Sequence, residues 1–114
     1  MEITYRELSP DKVVIVITGK IMLGPESERI SDLVASLMRE GKRSVIFDIS
    51  GVTAIDSTGL GRFISSYREI AAVGGKMRIA GANSLLRRTF HVCRLDTIFK
   101  FDDDVEQAIV SSGD

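Results

Sequence analysis

The sequence has no tryptophan, and it contains only one cysteine, Cys93, and one histidine, His91, among 114 residues. A lone cysteine cannot form a disulfide within the chain, and the apolar neighbours Val92 and Leu95 predict a small core residue. One histidine and one cysteine are too few for an ordinary zinc site, and no spacing indicates carboxylates that would complete it. We therefore expect neither a bound metal nor another cofactor.

Long apolar runs and an excess of charge of one sign are also missing. The longest apolar run, Val13 to Ile17, is far shorter than the roughly 20 residues of a membrane-spanning helix, and Met1 to Arg6 does not resemble a signal peptide. The formal net charge is −1, with acids and bases interspersed, so electrostatics favour neither nucleic acid nor an anionic membrane surface. These absences predict a cytoplasmic protein without membrane insertion or direct nucleic-acid binding.

The apolar content suffices for one compact unit. Apolar residues make up 44% of the chain, which is enough for one buried core and too little for two. No internal repeat, linker or low-complexity segment interrupts the sequence. Residues 1–114 are therefore predicted to form a single domain.

Five segments have the composition of β-strands: Ile3 to Leu8, Val13 to Thr18, Ser44 to Ile49, Met77 to Ala80 and Ile98 to Phe101. The first two are separated by turn residues, which predicts an antiparallel hairpin. The third is apolar apart from one aspartate, as expected for a central strand buried on both faces. Lys20 to Pro25, after the second strand, is predicted to be a loop.

Four helices are predicted, beginning near Pro25, near Ser57, after Asn83, and after the acidic trio Asp102 to Asp104. Asn83 and the trio are suitable helix caps, and the third helix is expected to turn Leu86, Phe90 and Cys93 to one side. Strands that alternate with helices imply parallel strands with right-handed crossovers. The predicted fold class is α/β, with a mixed, mostly parallel sheet, an N-terminal hairpin and about four helices.

The most informative segment joins the carboxyl end of the central strand to the amino end of the second helix, where open α/β sheets carry their functional groups. Gly59 and Gly61 fall in the first helical turns, where each costs up to about 1 kcal/mol relative to alanine. We interpret them as letting another surface approach the backbone and reach the hydroxyls of Ser57 and Thr58. Leu60, between them, is expected to point inward.

Three other interpretations of this segment are a helix cap, a catalytic motif and a phosphate-binding loop. Asp56 or Ser57 can be an ordinary helix cap, with the glycines merely tolerated. As a catalytic motif the segment is weak, because Ser57 lies in no Gly-x-Ser-x-Gly sequence and His91 is the only imidazole. No Gly-Lys-Ser/Thr follows the glycines, so the segment is not a phosphate-binding loop either. We predict a binding protein and not an enzyme.

Asp56 to Gly61, after an apolar strand and at the start of an amphipathic helix, resembles the STAS domain of bacterial anti-sigma factor antagonists. The resemblance extends over nearly the whole chain and includes the order of elements, Gly19 after the second strand and the strand that starts at Gly74 to Met77. It departs at Lys20 to Pro25, where many members have an acidic residue soon after the glycine. That departure bears on the identity of the partner.

In this family, the serine directly after the aspartate is phosphorylated by an anti-sigma factor that is also a serine kinase. The resemblance therefore implies phosphorylation of Ser57, with Thr58 assisting the contact. It implies that the unphosphorylated domain binds the anti-sigma factor and releases a sigma factor, and that the phosphorylated domain cannot bind until a serine phosphatase removes the phosphate. The resemblance implies that the partner binds at Asp56, Ser57, Thr58, Gly59, Leu60 and Gly61. To these we add Met22 and Leu23 from the adjoining loop.

The sequence leaves some alternatives open. Met22 and Leu23 either extend the partner-binding surface or pack locally under the first helix. The domain is alternatively a STAS scaffold subunit of a sensory or lipid-transport assembly in which Ser57 is not modified. A third alternative is a nucleotide-binding or weakly hydrolysing domain, against which the missing phosphate loop argues.

Overall fold

The computed structural model describes residues 1–113, which form a five-stranded sheet with the strands in sequence order. The first two strands are antiparallel and all other neighbouring strands are parallel, as the predicted α/β class requires. The elements are β1 (Glu2–Ser9), β2 (Lys12–Ile21), α1 (Pro25–Arg39), β3 (Ser44–Ile55), α2 (Ser57–Ala72), β4 (Lys76–Ala80), α3 (Ser84–Val92), a 3-10 turn (Leu95–Thr97), β5 (Lys100–Asp102) and α4 (Val105–Ser111).

The two faces of the sheet are covered unequally. Helices α1, α2 and α3 pack on one face and contribute to the main core, as expected when crossovers of one hand join strands that are neighbours in order. On the other face α4 alone forms a smaller core, in which Ala108 contacts the layer of Val14 and Ile46. Both faces of β2 and β3 are therefore buried, which is why these strands are continuous apolar runs.

An aromatic cluster fixes α2 on the sheet. The ring of Phe63 on α2 lies edge-on to Phe47 of β3 and to Phe90 of α3, with centroid distances of 5.2 and 5.9 Å. All three rings are fully buried, and edge-on pairs add to the free energy gained from their burial. The start of α2 is thereby held at the carboxyl end of β3.

Two strands continue three or more residues past the carboxyl ends that the sequence predicts. β3 continues past Ile49 to Ile55, and β2 continues to Ile21, so part of the predicted loops is paired strand. The register between them is irregular in this part, and Gly51 lies so close to β2 that a Cβ there would be 2.7 Å from Thr18 Cγ2. The absence of a side chain at Gly51 therefore accommodates the close neighbouring strand.

Two predictions near the carboxyl end are wrong. Cys93 is exposed and is not a core residue, because α3 ends at Val92 and the chain turns at Arg94, which has a left-handed conformation (φ 60°), so that Leu95 and not Cys93 enters the core. Asp102 is not a solvated cap residue, because it is buried at the end of β5 and bonded to Arg78 Nε at 2.7 Å. Asp104 alone caps α4.

Candidate functional site

Helix α2 begins directly after β3, and Asp56 is the residue that starts it. One carboxylate oxygen of Asp56 accepts a hydrogen bond from the Gly59 N–H at 2.8 Å, and its backbone carbonyl accepts from the Leu60 N–H at 2.9 Å. These are the bonds of an ordinary N-cap. The interpretation of Asp56 as a helix cap is therefore confirmed, and it describes only part of the environment of this residue.

The second carboxylate oxygen of Asp56 connects the helix to the loop between β2 and α1. It accepts a hydrogen bond from the Leu23 N–H at 2.9 Å, while the Asp56 N–H donates to the Ile21 carbonyl at 3.2 Å. Hydrogen bonds from the N–H groups of Gly59 and, to a smaller extent, Leu23 lower the pKa of Asp56, because both stabilise the ionised carboxylate. Asp56 therefore holds two segments together as an anion.

Ser57 is the first residue of α2, and its side chain is exposed to solvent. Thr58, beside it, is half-buried. The backbone N–H groups of the first helical turn and the helix dipole favour negative charge at this position. The geometry therefore gives another protein access to the Ser57 hydroxyl and allows that hydroxyl to carry an anionic group.

The two glycines of the motif have different roles, and the interpretation of Gly59 as an approach point is wrong. Gly59 is buried, and a Cβ at this position would lie 2.3 Å from the Ile21 carbonyl oxygen and 2.6 Å from Ile55 Cγ1. Its lack of a side chain lets α2 approach the end of β2. At Gly61, a Cβ would have no neighbouring atom within 4 Å, so of the two glycines only Gly61 faces open space. Leu60 points inward as predicted.

Met22 and Leu23 present apolar side chains next to this helix start. Their exposed fractions are 41% and 79%, so neither side chain is packed under α1. The Leu23 backbone bond to Asp56 ties this loop to the beginning of α2. The structure therefore brings together the predicted residues of the loop and of the helix start at one end of the sheet.

A polar contact that the sequence did not indicate supports the same end of the molecule. Arg62 Nε on α2 donates to Ser27 Oγ on α1 at 3.2 Å, and Ser27 Oγ donates to the Gly24 carbonyl at 3.2 Å. Ser27 is buried. No local pattern pairs residues 35 positions apart, so this link between the two helices is visible only in the folded chain.

Chemically active side chains are sparse around Ser57. His91, the only imidazole, lies at the end of α3, where its Nδ1 is 2.7 Å from a carboxylate oxygen of Asp96. Within residues 1–113, no three His, Cys, Asp or Glu side chains are grouped as a metal site would require. No helix in the same range is long and apolar enough to cross a membrane.

Comparison with known proteins gives relatives of the same architecture. A Thermotoga neapolitana protein, named as an anti-sigma factor antagonist homologue, is 26% identical over 72 residues, which are 63% of this chain and 64% of that protein. The structure of the Bacillus cell fate determinant SpoIIAA in its phosphorylated form has a TM-score of 0.76 at 19% identity, over 98% of this chain and all of that one.

The fold also occurs within a larger membrane protein. In the murine anion transporter Slc26a9, the match has a TM-score of 0.78 at 9% identity and covers 93% of this chain but 18% of the transporter. At these identities the solved structures establish the fold. The profile of the STAS domain matches residues 5–108, so it includes the whole site described above, and the chain belongs to the STAS domain family.

Proposed function

We propose that this chain is an anti-sigma factor antagonist whose binding surface is switched by phosphorylation of Ser57. The observation that carries the proposal is the exposed Ser57 side chain at the first position of α2. It follows the anionic cap Asp56, whose carboxylate bonds the loop that carries the exposed apolar residues Met22 and Leu23. The name of the Thermotoga protein supports the proposal, as does the description of SpoIIAA as an anti-sigma factor antagonist. In this proposal the chain is a cytoplasmic binding protein and not an enzyme.

The unphosphorylated surface combines apolar area with a small polar centre, a composition suited to a protein interface. Leu23 and Met22 supply exposed apolar side chains, and Ser57 supplies a neutral hydroxyl beside them. An anti-sigma factor bound here is occupied, and the sigma factor that it would otherwise hold is released. The open helix surface at Gly61 lets the partner contact the backbone of α2.

Phosphorylation changes the charge of this surface strongly. A phosphate adds roughly −1.5 to −2 charges at neutral pH, and it adjoins the carboxylate of Asp56, whose lowered pKa keeps it ionised. Two neighbouring anions at the centre of an interface without a compensating cation cost about 2 to 5 kcal/mol of binding free energy. That range corresponds to a loss of affinity of about 30-fold to several thousand-fold.

The folded state tolerates the same phosphate for a local reason. The N–H groups at the start of α2 and the helix dipole stabilise an anion there, which opposes the repulsion from Asp56. We therefore propose that phosphorylation changes binding and leaves the fold intact. The kinase is the anti-sigma factor itself, and a serine phosphatase restores the hydroxyl.

The test is to incubate the full chain with ATP and its anti-sigma kinase, and to locate the added phosphate by peptide mass spectrometry. We expect modification of Ser57, its loss in Ser57→Ala and its retention in Thr58→Ala. Ser84 is a matched internal control, because it is also an exposed first residue of a helix. Phosphate on Ser84, or on any residue other than Ser57 and Thr58, would remove the site assignment.

A scaffold role is the second candidate, favoured by the occurrence of the fold inside the anion transporter. In that case the domain forms a stable part of a larger assembly and Ser57 is not modified. Affinity purification from the native cell distinguishes the two roles. A stoichiometric complex that persists with Ser57→Asp supports the scaffold, whereas partner binding that is lost with Ser57→Asp supports the switch.

A further inference from the structure

The two edges of the sheet differ in the length of backbone that they leave unpaired. β5 is three residues long, whereas β1 is eight residues long and pairs only with β2. One side of β1 therefore presents a row of unpaired N–H and C=O groups that another strand can bond. Only this edge is long enough to take a further strand.

The side chains of β1 alternate between the two faces of the sheet. Ile3 packs against the main core below α1, and the side chains of Glu2 and Arg6 lie on the opposite face. The residues that oppose Glu2 and Arg6 on β2 are Thr18 and Val14, which carry no charge. Neither Glu2 nor Arg6 forms an ion pair within residues 1–113. These two opposite charges are therefore available to another strand.

We propose that β1 is a self-association edge, at which a second copy of this chain adds its own β1 in antiparallel orientation about a two-fold axis through Thr4. In this register, Glu2 lies opposite Arg6 of the second copy, and the symmetry makes this ion pair twice. Ile3 lies opposite Tyr5, and Thr4 lies opposite itself. Opposite charges, an aromatic with a β-branched residue, and two threonines are all favourable cross-strand pairs.

Charge and chemistry select this register among those that symmetry allows. An antiparallel pair keeps its hydrogen-bonding sides and faces matched only when the axis passes through a residue. An axis through Ile3 sets Glu2 opposite the uncharged Thr4, and an axis through Tyr5 sets Ile3 opposite Glu7. An axis through Arg6 places two arginines opposite each other, which is unfavourable.

The groove beside β1 has the same self-complementary character. It has a volume of about 500 Å³ and lies between β1 and α1, with apolar walls from Ile3, Tyr5 and Leu33. Tyr5 is 49% exposed. The groove also carries Arg29 and Asp32, so that it holds both signs of charge, as an interface that pairs one surface with itself requires.

The experiment measures the mass of the full chain, tagged only at its carboxyl end, by sedimentation equilibrium over a wide concentration range. We expect a reversible dimer. Glu2→Arg and Arg6→Glu each place like charges opposite one another twice, so each raises the dimer dissociation constant about tenfold or more. Glu69→Arg, at an exposed position of α2, is the control and leaves the dimer unchanged.

Mixing the two charge variants tests the register itself. Glu2→Arg has arginine at both positions and Arg6→Glu has glutamate at both, so an equimolar mixture restores both ion pairs and the dimer. The double variant Glu2→Arg/Arg6→Glu also restores it. A monomeric wild-type chain at all concentrations, single variants that dimerise normally, or a mixture that stays monomeric would each overturn the proposal, provided that circular dichroism shows folded variants.

Discussion

The amino ends of α2 and α3 begin in the same way, yet only the first adjoins the proposed switch surface. Asp56 and Asn83 each cap their helix through a side-chain oxygen that accepts a backbone N–H at 2.8 Å. Each cap is followed by an exposed serine, Ser57 or Ser84. The local signal in the sequence is therefore the same at the two positions, and the difference comes from what each cap contacts beyond its own helix.

The second contact of each cap explains its residue type. The carboxylate oxygen of Asp56 that does not cap the helix accepts a hydrogen bond from the Leu23 N–H at 2.9 Å, whereas the Asn83 amide nitrogen faces the Val52 carbonyl at 3.4 Å. A carboxylate has two acceptor oxygens and no donor, whereas a side-chain amide has one acceptor oxygen and an NH2 group that donates. Each residue therefore matches its partners, and only at Asp56 does the second bond tie an exposed apolar loop to the helix.

The third helical residue differs in a corresponding way. It is Gly59 in α2 and Leu86 in α3, and both are buried. Leu86 fills part of the main core, whereas the backbone of β2 occupies the space that a side chain at Gly59 would need. Helix α2 is thus pressed against the end of the sheet, where the β2–α1 loop can reach its first turn.

A negative charge placed at the start of α2 or of α3 is expected to give the largest difference between the two helix starts. With an anti-sigma partner, Ser57→Asp is expected to weaken binding about 30-fold or more, because the added carboxylate adjoins Asp56 in the interface. Ser84→Asp, at the matched position of α3, is expected to change the dissociation constant less than about twofold. Isothermal titration calorimetry measures both constants.

Ser57→Ala supplies the second control, since it removes the hydroxyl without adding charge and should bind with nearly wild-type affinity. Equal dissociation constants for Ser57→Ala and Ser57→Asp would contradict the electrostatic account. Weakening by Ser84→Asp to the same degree as by Ser57→Asp would show that the two helix starts do not differ in function.

The next largest effect is expected from the glycines of α2. Gly59→Ala forces a methyl group against the Ile21 carbonyl oxygen and should lower the free energy of unfolding by about 3 kcal/mol, the upper part of the usual range for overpacking. Gly61→Ala meets no neighbour and should raise that free energy by up to about 1 kcal/mol. Urea unfolding measures both values. If the two variants had equal stability, the close approach of α2 to β2 would be disproved.

The fold was largely predictable because hydrophobic periodicity determines which segments bury a face. The apolar run from Val13 and the 3.6-residue pattern around Phe63 identified a buried strand and a helix on it, and Asn83 marked a helix start. The extension of β3 past Ile49 was missed because its pairing with β2 depends on Gly51, which is needed only because β2 lies so close. Local sequence carries no information about the distance between the two strands.

The contacts at the start of α2 were less predictable than the elements around them. The sequence indicated a helix start at Asp56 and a loop at Met22 and Leu23, but the bond from the Leu23 N–H to Asp56 joins positions 33 apart. Gly59 was misinterpreted, because a glycine needed for internal packing and one needed for external contact look alike in a sequence. Cys93 was misplaced because the helical pattern of α3 was continued one residue too far.

A smaller effect is expected from exchanging the cap of α2 for an amide. Asp56→Asn offers one acceptor to two N–H groups, so either Gly59 or Leu23 loses its bond, and the free energy of unfolding at neutral pH should fall. The pKa of Asp56 is lower in the folded chain than its ordinary value. The stability that its ionised form contributes is therefore present above about pH 4 and is lost as the pH falls through the lower folded pKa.

The stability difference between the wild-type chain and Asp56→Asn should consequently be largest near neutral pH and shrink in acid. Urea unfolding at a series of pH values from about 7 down to about 3 measures that difference. A difference that stays constant over this range would mean that the negative charge of Asp56 contributes nothing to the free energy of unfolding.

The reciprocal exchange at α3 is expected to have the smallest effect. In Asn83→Asp, the oxygen that accepts the Leu86 N–H is retained, and the new charge is favoured by the positive end of the helix. Against this, the variant sets a carboxylate oxygen near the Val52 carbonyl, where the amide made only a long 3.4 Å contact. These opposing changes should leave the free energy of unfolding within about 0.5 kcal/mol of the wild-type value. A loss as large as that of Asp56→Asn, measured in the same urea series, would show that the second contact matters equally at the two helix starts and that the α2 cap has no special role.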